Sequence, residues 1–548
     1  MVRPGDVGAG PYGTRWVDRA REEVTVATRR RICVATVRAM KVPLTVRDFL
    51  DRGETVYPDR VAVVDEPDQP APSLGELTYR DLAARARAQA AGLDRLGIGA
   101  GERVAIVSQN AARLLSGFWG VSGWGRVYVP VNFRLSRDEI AYIVEHCGAS
   151  ALLFDPELAD VVASVDCGTK VELGSGDDEL LAWDAEPEPW SPDEDATAVI
   201  NYTSGTTARP KGVQQTHRSL WLNATVFGWQ AGICDRDVYL HTLPMFHCNG
   251  WGMPFATAGM GVTQVVQRKV DGAEILRRVD RHGVTVMCGA PAVVNAILDA
   301  AADLDEVPGA GRTRIVVAGA PPPTRTIERV ETDLGWELIQ IYGLTETAPL
   351  LTMNRTRAEW DDLDPADRAA RLVRQGAPAL GVHMGVTDTG ELTTRTNHVM
   401  DGYWEQPDAT AEAIVDGWFH TGDGGAIDDD GYVVISDRKK DVIISGGENV
   451  SSIEVEDALF SHPAVAEVAV IGVPDERWGE LVLGLVVLAE GAEATEDELR
   501  EHCRGKVAGY KVPKRIELRT ELDRTATGKL QKFKLRAPYW EGRDRQVN

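Results

Sequence analysis

From about residue 78 onward, short aliphatic and β-branched runs alternate with stretches whose apolar positions recur at helical spacing. Val104-Ala105-Ile106-Val107 has no polar position, which predicts a strand buried on both faces, and the helical pattern 111–123 follows it. Val127-Tyr128-Val129-Pro130 with the helix 136–147, and then Ala151-Leu152-Leu153-Phe154, repeat the unit. Further strands are predicted at 197–203, 262–267, 284–288, 314–318 and 337–342, with helices at 217–230, 272–282, 291–303 and 323–333. Strands separated by helices form parallel sheets covered on both sides. The predicted fold is therefore α/β, a large N-terminal domain of doubly wound, mostly parallel sheets. Residues 164–196, rich in Asp, Glu, Gly and Pro, read as surface connections.

The rhythm changes near residue 437. A short segment at 441–445, helices at 452–460 and 495–505, and strands at 465–473, 481–489 and 515–519 predict a small, separate α+β domain. At the other end, the first 39 residues carry eight arginines against four acids and no core-forming period. The expected organisation is a disordered extension over 1–39, an N-terminal domain over 40–437 and a C-terminal domain over 438–548. Met40, followed by Val42-Pro43-Leu44, is a candidate initiator, and Arg38 interrupts the only nearby apolar stretch, which argues against a secretory signal. Gly8-x-Gly10-x-x-Gly13 matches a dinucleotide fingerprint formally, but no strand precedes it and no suitably placed acid follows. It is read as coincidence.

Composition narrows the partners. A net charge of −24 over 548 residues makes nucleic acid and anionic membrane surfaces poor partners, and no apolar run is long enough to span a bilayer. Seven scattered cysteines without a C-x-x-C pair point to a reducing, cytoplasmic setting and away from disulfides or zinc. Only 12 of the 59 basic residues are lysine, and eight of these follow Arg438, so a lysine beside a glycine-rich loop is worth attention.

One such loop is Tyr202-Thr203-Ser204-Gly205-Thr206-Thr207-Ala208-Arg209-Pro210-Lys211-Gly212, placed by the pattern between a strand and a helix. Four hydroxyls, glycine-exposed amides and one lysine make a cradle for polyphosphate, although the spacing is not that of a Walker A loop. Ile341-Tyr342-Gly343-Leu344-Thr345-Glu346-Thr347 ends another strand, where ligands of open α/β sheets bind. Taken alone, Glu346 fits a helix cap as well as a cation ligand. Near the C-terminus, Thr527-Gly528 shapes a turn before Lys529.

These segments resemble the adenylate-forming enzymes, which include acyl-CoA synthetases, luciferases and peptide-synthetase adenylation domains, and the resemblance runs from about residue 42 to 537. It implies that Thr203, Ser204, Gly205, Thr206, Thr207 and Lys211 hold the β- and γ-phosphates of ATP. The family usually has glycine where this chain has Ala208, which puts the loop's mobility in question. The resemblance further implies that Gly319-Ala320-Pro321 and Tyr342-Gly343 surround the adenine, that Thr345 touches the α-phosphate, and that Glu346 holds Mg²⁺. Asp423, in Trp418-Phe419-His420-Thr421-Gly422-Asp423, and Arg438 would bind the ribose. Lys440 would be the pivot of a mobile C-terminal domain that carries the catalytic Lys529. Ser445, Gly446 and Gly447 would line the channel for CoA.

His247, in Leu243-Pro244-Met245-Phe246-His247-Cys248-Asn249-Gly250-Trp251, would border the acyl pocket and position the carboxylate; by itself it reads more readily as a structural histidine than as a catalytic base. The implied reaction couples a small carboxylic acid to CoA, with ATP and Mg²⁺, through an acyl-AMP. Cys-Asn-Gly-Trp, with Arg357-Ala358-Glu359-Trp360 and Gln375-Gly376, resembles the branch acting on short- and medium-chain or aryl-alkanoic acids. A medium-chain fatty or aryl-alkanoic acid is expected, with Trp221, Phe227 and Trp229 as candidate pocket walls. The alternatives are transfer to a carrier-protein thiol and a degenerate nucleotide-binding regulator. A homodimer is the expected assembly.

Overall fold

The computed structural model describes residues 41–203, 209–438, 441–445, 448–475, 477–524 and 530–541, with the side chain of Arg438 excluded. The extension predicted at 1–39, the loop residues Ser204, Gly205, Thr206, Thr207 and Ala208, and Lys440, Gly446, Gly447 and Lys529 lie outside the described residues. The chain divides into two units, Met1–Leu44 and Thr45–Asn548, and the sheets lie in the second.

Two large sheets carry the body, and both are mostly parallel. In the seven-stranded sheet, Arg103–Val107 lies between Val127–Val131 and Ala149–Phe154, all parallel. Every residue of Val127–Val131 is buried, as an unbroken apolar run requires. In the nine-stranded sheet, Val61–Val64, Thr263–Val266, Val238–His241, Val286–Gly289, Arg314–Val317 and Glu337–Gly343 run parallel, and antiparallel strands close each edge. The connecting helices have legible ends. Ser136 and Glu139 form a reciprocal cap on Arg137–Cys147, worth about 1 kcal/mol, and the helix stops at Gly148 with φ +59°. Gly272–His282 starts from Asp271 and ends at Gly283 in the same left-handed way.

The phosphate loop corrects the expected strand–loop–helix. Thr197–Thr203 and Lys211–Thr216 are antiparallel partners, Thr203 opposite Lys211, and the helix His217–Gln230 begins only after the second strand. The two strands flanking the loop are thus hairpin partners, and among the described residues that follow the loop no helix begins before His217. Lys-Gly-Val-Gln-Gln-Thr lacks the apolar run that marks the other strands, so the pattern did not reveal it. A third sheet was also unforeseen: Val382–Val386, Glu391–Thr396, Ile414–Val415, Trp418–Ile427 and Val433–Arg438 pair antiparallel.

The C-terminal part is a smaller α+β unit. Gly479–Leu488 pairs antiparallel with Val465–Asp475 and parallel with Arg515–Arg519, and the helices Ser452–Phe460 and Glu496–Arg504 contribute to its core. That core, with Val455, Leu459, Val470, Val486 and Ile516, is separate from the apolar clusters of the body. Polar bonds join the two parts. Asp437 Oδ2 accepts from the Ser452 N–H at 2.9 Å and the Ser452 hydroxyl at 2.5 Å. Asp457 accepts from the Thr324 N–H at 2.8 Å and hydroxyl at 3.0 Å.

Candidate active site

The hairpin strand Lys211–Thr216 lies against the turn Thr345–Thr347 and pairs with the short strand Gly402–Tyr403. Lys211 Nζ sits 4.6 Å from the centre of the Tyr403 ring, and the Tyr403 hydroxyl donates to Glu346 Oε1 at 3.0 Å. Cation, ring and carboxylate therefore form a chain linking the hairpin to the Thr345–Glu346 turn. Burial, and then the Glu346 charge, push the Tyr403 phenol well above its usual range, so it stays a donor.

Hydrogen bonds and close packing hold the 345–347 turn. The Thr347 hydroxyl donates to Pro349 O at 2.7 Å and accepts from Leu344 N–H at 3.0 Å. Met400 N–H donates to Glu346 O at 2.7 Å. Gly343 is required by space, since a Cβ there would lie 1.6 Å from Pro349 O. On the other flank, Tyr342 donates to Asp423 Oδ2 at 2.8 Å, with both residues buried. Asp423 pairs across the ladder with Arg438, so the predicted ribose-binding pair shares one rung. Gly319, with φ +91°, and the half-buried Ala320 and Pro321 follow the strand Arg314–Val317.

His247 is half-buried and opens an unusual turn. Cys248, Asn249, Gly250, Trp251 and Gly252 are all left-handed, with φ of 44°, 53°, 56°, 62° and 81°. Each non-glycine residue in that conformation costs about 1–2 kcal/mol, so the surroundings must hold the turn in place. Asn223 Nδ2 donates to Trp251 O at 3.3 Å, and Asn223 Oδ1 accepts from Leu350 N–H at 3.1 Å. Burial, with Glu346 adding to it, pushes the Cys248 thiol up to about 12, so it is no nucleophile near neutrality.

The three candidate wall aromatics are dispersed. Phe227 is fully buried in the core, Trp221 packs on Phe49 with ring centroids 5.8 Å apart, and Trp229 is 69% exposed and faces solvent. Trp360 and Gln375 are structural: Trp360 is buried near Tyr432, and Gln375 Oε1 accepts from Ile435 N–H at 2.6 Å. In the C-terminal unit Ser445 is buried on Ile443–Ser445.

Sequence reasoning missed Tyr403, Gln215 and Asn249, whose parts depend on contacts between distant segments. It also missed Trp478, which is 36% exposed with Arg477 Cζ at 4.9 Å and Lys514 Nζ at 5.9 Å from its ring.

Among the described residues no cluster of three His, Cys, Asp or Glu side chains could hold a metal alone. A lone half-buried carboxylate, Glu346, suits Mg²⁺ shared with phosphate oxygens and water. No helix among the described residues is long and apolar enough to cross a membrane.

Residues 50–404 match the family model of the AMP-binding enzyme, and residues 454–529 that of the AMP-binding enzyme C-terminal domain. A 2-methylpropanoate–CoA ligase of Humulus lupulus is 36% identical, covering 91% of this chain and 95% of its own. A 4-hydroxybutyrate–CoA ligase of Metallosphaera sedula is 36% identical over 90% of this chain and 94% of its own. The o-succinylbenzoate CoA synthetase of Bacillus subtilis, solved with its acyl-adenylate intermediate, superposes with a TM-score of 0.76 at 28% identity, covering 89% of this chain and 97% of that one. The chain belongs to the AMP-binding enzyme family. Within it, the chain is an ATP-dependent, AMP-forming acyl-CoA synthetase, using ATP, Mg²⁺ and CoA.

Proposed function

We propose that this enzyme activates a short- to medium-chain carboxylic acid as its acyl-AMP and passes the acyl group to CoA in the cytoplasm. The observation that carries the reading is the chain Lys211–Tyr403–Glu346, set beside the Tyr342–Asp423 bond. It gathers into one site a phosphate-facing cation, a carboxylate for a hard cation and an acceptor for a ribose diol. The small acid is supported by relatives named for 2-methylpropanoate and 4-hydroxybutyrate. The cytoplasmic setting is supported by six free cysteines among the described residues.

A carboxylate lacks a usable leaving group. Attack of its oxygen on the α-phosphate expels pyrophosphate and gives a mixed anhydride, from which a thiol displaces AMP. Such a step needs alignment and charge stabilisation more than covalent help from the protein. Lys211, with Thr203 and the loop residues Ser204, Gly205, Thr206 and Thr207, takes the β- and γ-phosphates. Thr345 faces the α-phosphate, while Gly319, Ala320, Pro321, Tyr342 and Gly343 border the adenine. Asp423 and Arg438 take the ribose, and His247 orients the carboxylate. Glu346 would hold Mg²⁺, which supplies neutralising charge to the phosphates.

Lys529 brings an ammonium between the two anions as they meet. The C-terminal domain, 438–548, then swings about Lys440 against the N-terminal domain, 40–437, so that Ser445, Gly446 and Gly447 border the thiol's approach. The exposed Trp478, with Arg477 and Lys514, offers a stacking face and cations for the nucleotide end of CoA, which favours free CoA as acceptor.

Pyrophosphate exchange across short branched, hydroxy, medium-chain and aryl-alkanoic acids, with AMP release measured on adding CoA, tests the reading. A short or medium-chain acid should give the highest kcat/KM. Preference for an aryl acid, or release requiring a carrier protein, refutes it. Lys529→Ala should lose adenylation by about three orders of magnitude or more while a supplied acyl-AMP is still thiolated.

A further inference from the structure

Gln215 lies in the hairpin strand Lys211–Thr216, fully buried, where an amide without partners would be costly. All of its polar atoms are engaged. Nε2 donates to the Thr345 carbonyl at 2.7 Å and to Cys248 Sγ at 3.7 Å, and Oε1 accepts from Asn249 Nδ2 at 2.5 Å. One side chain thus fastens the phosphate hairpin to two other segments. The first is the turn bearing Thr345 and Glu346. The second is the left-handed run that begins after His247, whose strained backbone relaxes elsewhere unless held. Asn223 holds the far end of that run through Trp251 O, and Gln215 holds the near end through Asn249.

We infer that Gln215 is a positioning residue for adenylation: it fixes the Thr345 turn and the left-handed acyl-side turn at one relative height, so that carboxylate and α-phosphate meet in line. The inference rests on Thr345 facing the α-phosphate and the 247–251 segment facing the acid, as proposed above. It adds a cause for their alignment. No group of the nucleotide or acid need touch Gln215, which acts through the carbonyl of one turn and the side chains of the other.

The test is pyrophosphate exchange by the full chain with an acid that the wild type turns over. Gln215→Met keeps the volume and removes all three contacts. Its kcat should fall about 10- to 100-fold, the scale expected of an ångström-sized misplacement, with the KM for ATP moving less than about threefold, since a fault in alignment is felt in the transition state. Gln215→Glu gives a second readout. A carboxylate cannot donate to the Thr345 carbonyl, whereas its protonated form can. Burial raises that carboxyl toward neutrality, so the variant's rate relative to wild type should climb at least about tenfold between about pH 8 and about pH 6. A purely structural role would put this slope in the denaturant midpoint and leave the kcat of the folded fraction flat. Wild-type kcat in folded Gln215→Met, or a Gln215→Glu ratio that is flat with pH, overturns the inference. Thr345→Ala, assayed alongside, separates the two layers: wild-type exchange in that variant would remove the phosphate-facing assignment and this inference with it.

Discussion

Replacing Tyr403 by phenylalanine removes one oxygen from the site and leaves its shape. The lost contact is the 3.0 Å bond from the phenol to Glu346 Oε1, while the ring that faces Lys211 Nζ at 4.6 Å stays. A hydrogen bond to a charged group contributes about 1.5–3 kcal/mol. If that energy holds Glu346 ready for Mg²⁺ and phosphate, its loss should raise the KM for MgATP about 10- to 150-fold. Tyr403→Ala removes the cation–ring contact as well, worth about 0.5–2 kcal/mol, and should add a further factor of about 2–30. Pyrophosphate exchange titrated in ATP at several Mg²⁺ concentrations reads both numbers. A cycle with Glu346→Gln should show the Tyr403→Phe effect largely abolished once the carboxylate is gone. If Tyr403→Phe keeps the wild-type Mg²⁺ and ATP dependence while remaining folded, the chain from Lys211 to Glu346 is scaffolding and the reasoning is refuted.

Two other outcomes are expected. Trp478→Ala should raise the KM for CoA about tenfold, a loss at the lower end of aromatic–base stacking, with acid-dependent pyrophosphate exchange unaffected; an unchanged CoA dependence would dissociate this patch from the acceptor. Burial lowers His217 and His241 from 6.5 to about 4 in the folded chain, so each resists a proton that the unfolded chain accepts. Their stabilisation is therefore complete above about pH 6.5 and is lost as pH falls toward 4. The loss is about 2 kcal/mol for each at pH 5, and denaturant midpoints at pH 7 and pH 5 should converge in His217→Gln relative to wild type.

The parallel core was readable because buried strands and amphipathic helices print their period in the sequence. Gly272–His282 and Ser452–Phe460 have the expected bounds. Lys211–Thr216 was hidden since its buried face carries Gln215 beside Val213, a polar residue tolerated only because distant segments satisfy it. The third sheet was hidden for a related reason: Glu391–Thr396 buries Thr393 and Thr394, which look like surface residues in sequence. At the site, short motifs marked Lys211, Tyr342, Thr345, Glu346 and Asp423, whereas Tyr403 and Gln215 become visible only when strands remote in sequence are brought side by side.

The polar seam between body and C-terminal unit has a mechanical meaning. Each bond from Asp437 to Ser452, or from Asp457 to Thr324, can be exchanged for one to water at little net cost. Hydrocarbon pressed together would instead have to be prised into solvent. The seam resembles a spring detent, giving the tail a resting angle through contacts that water can replace.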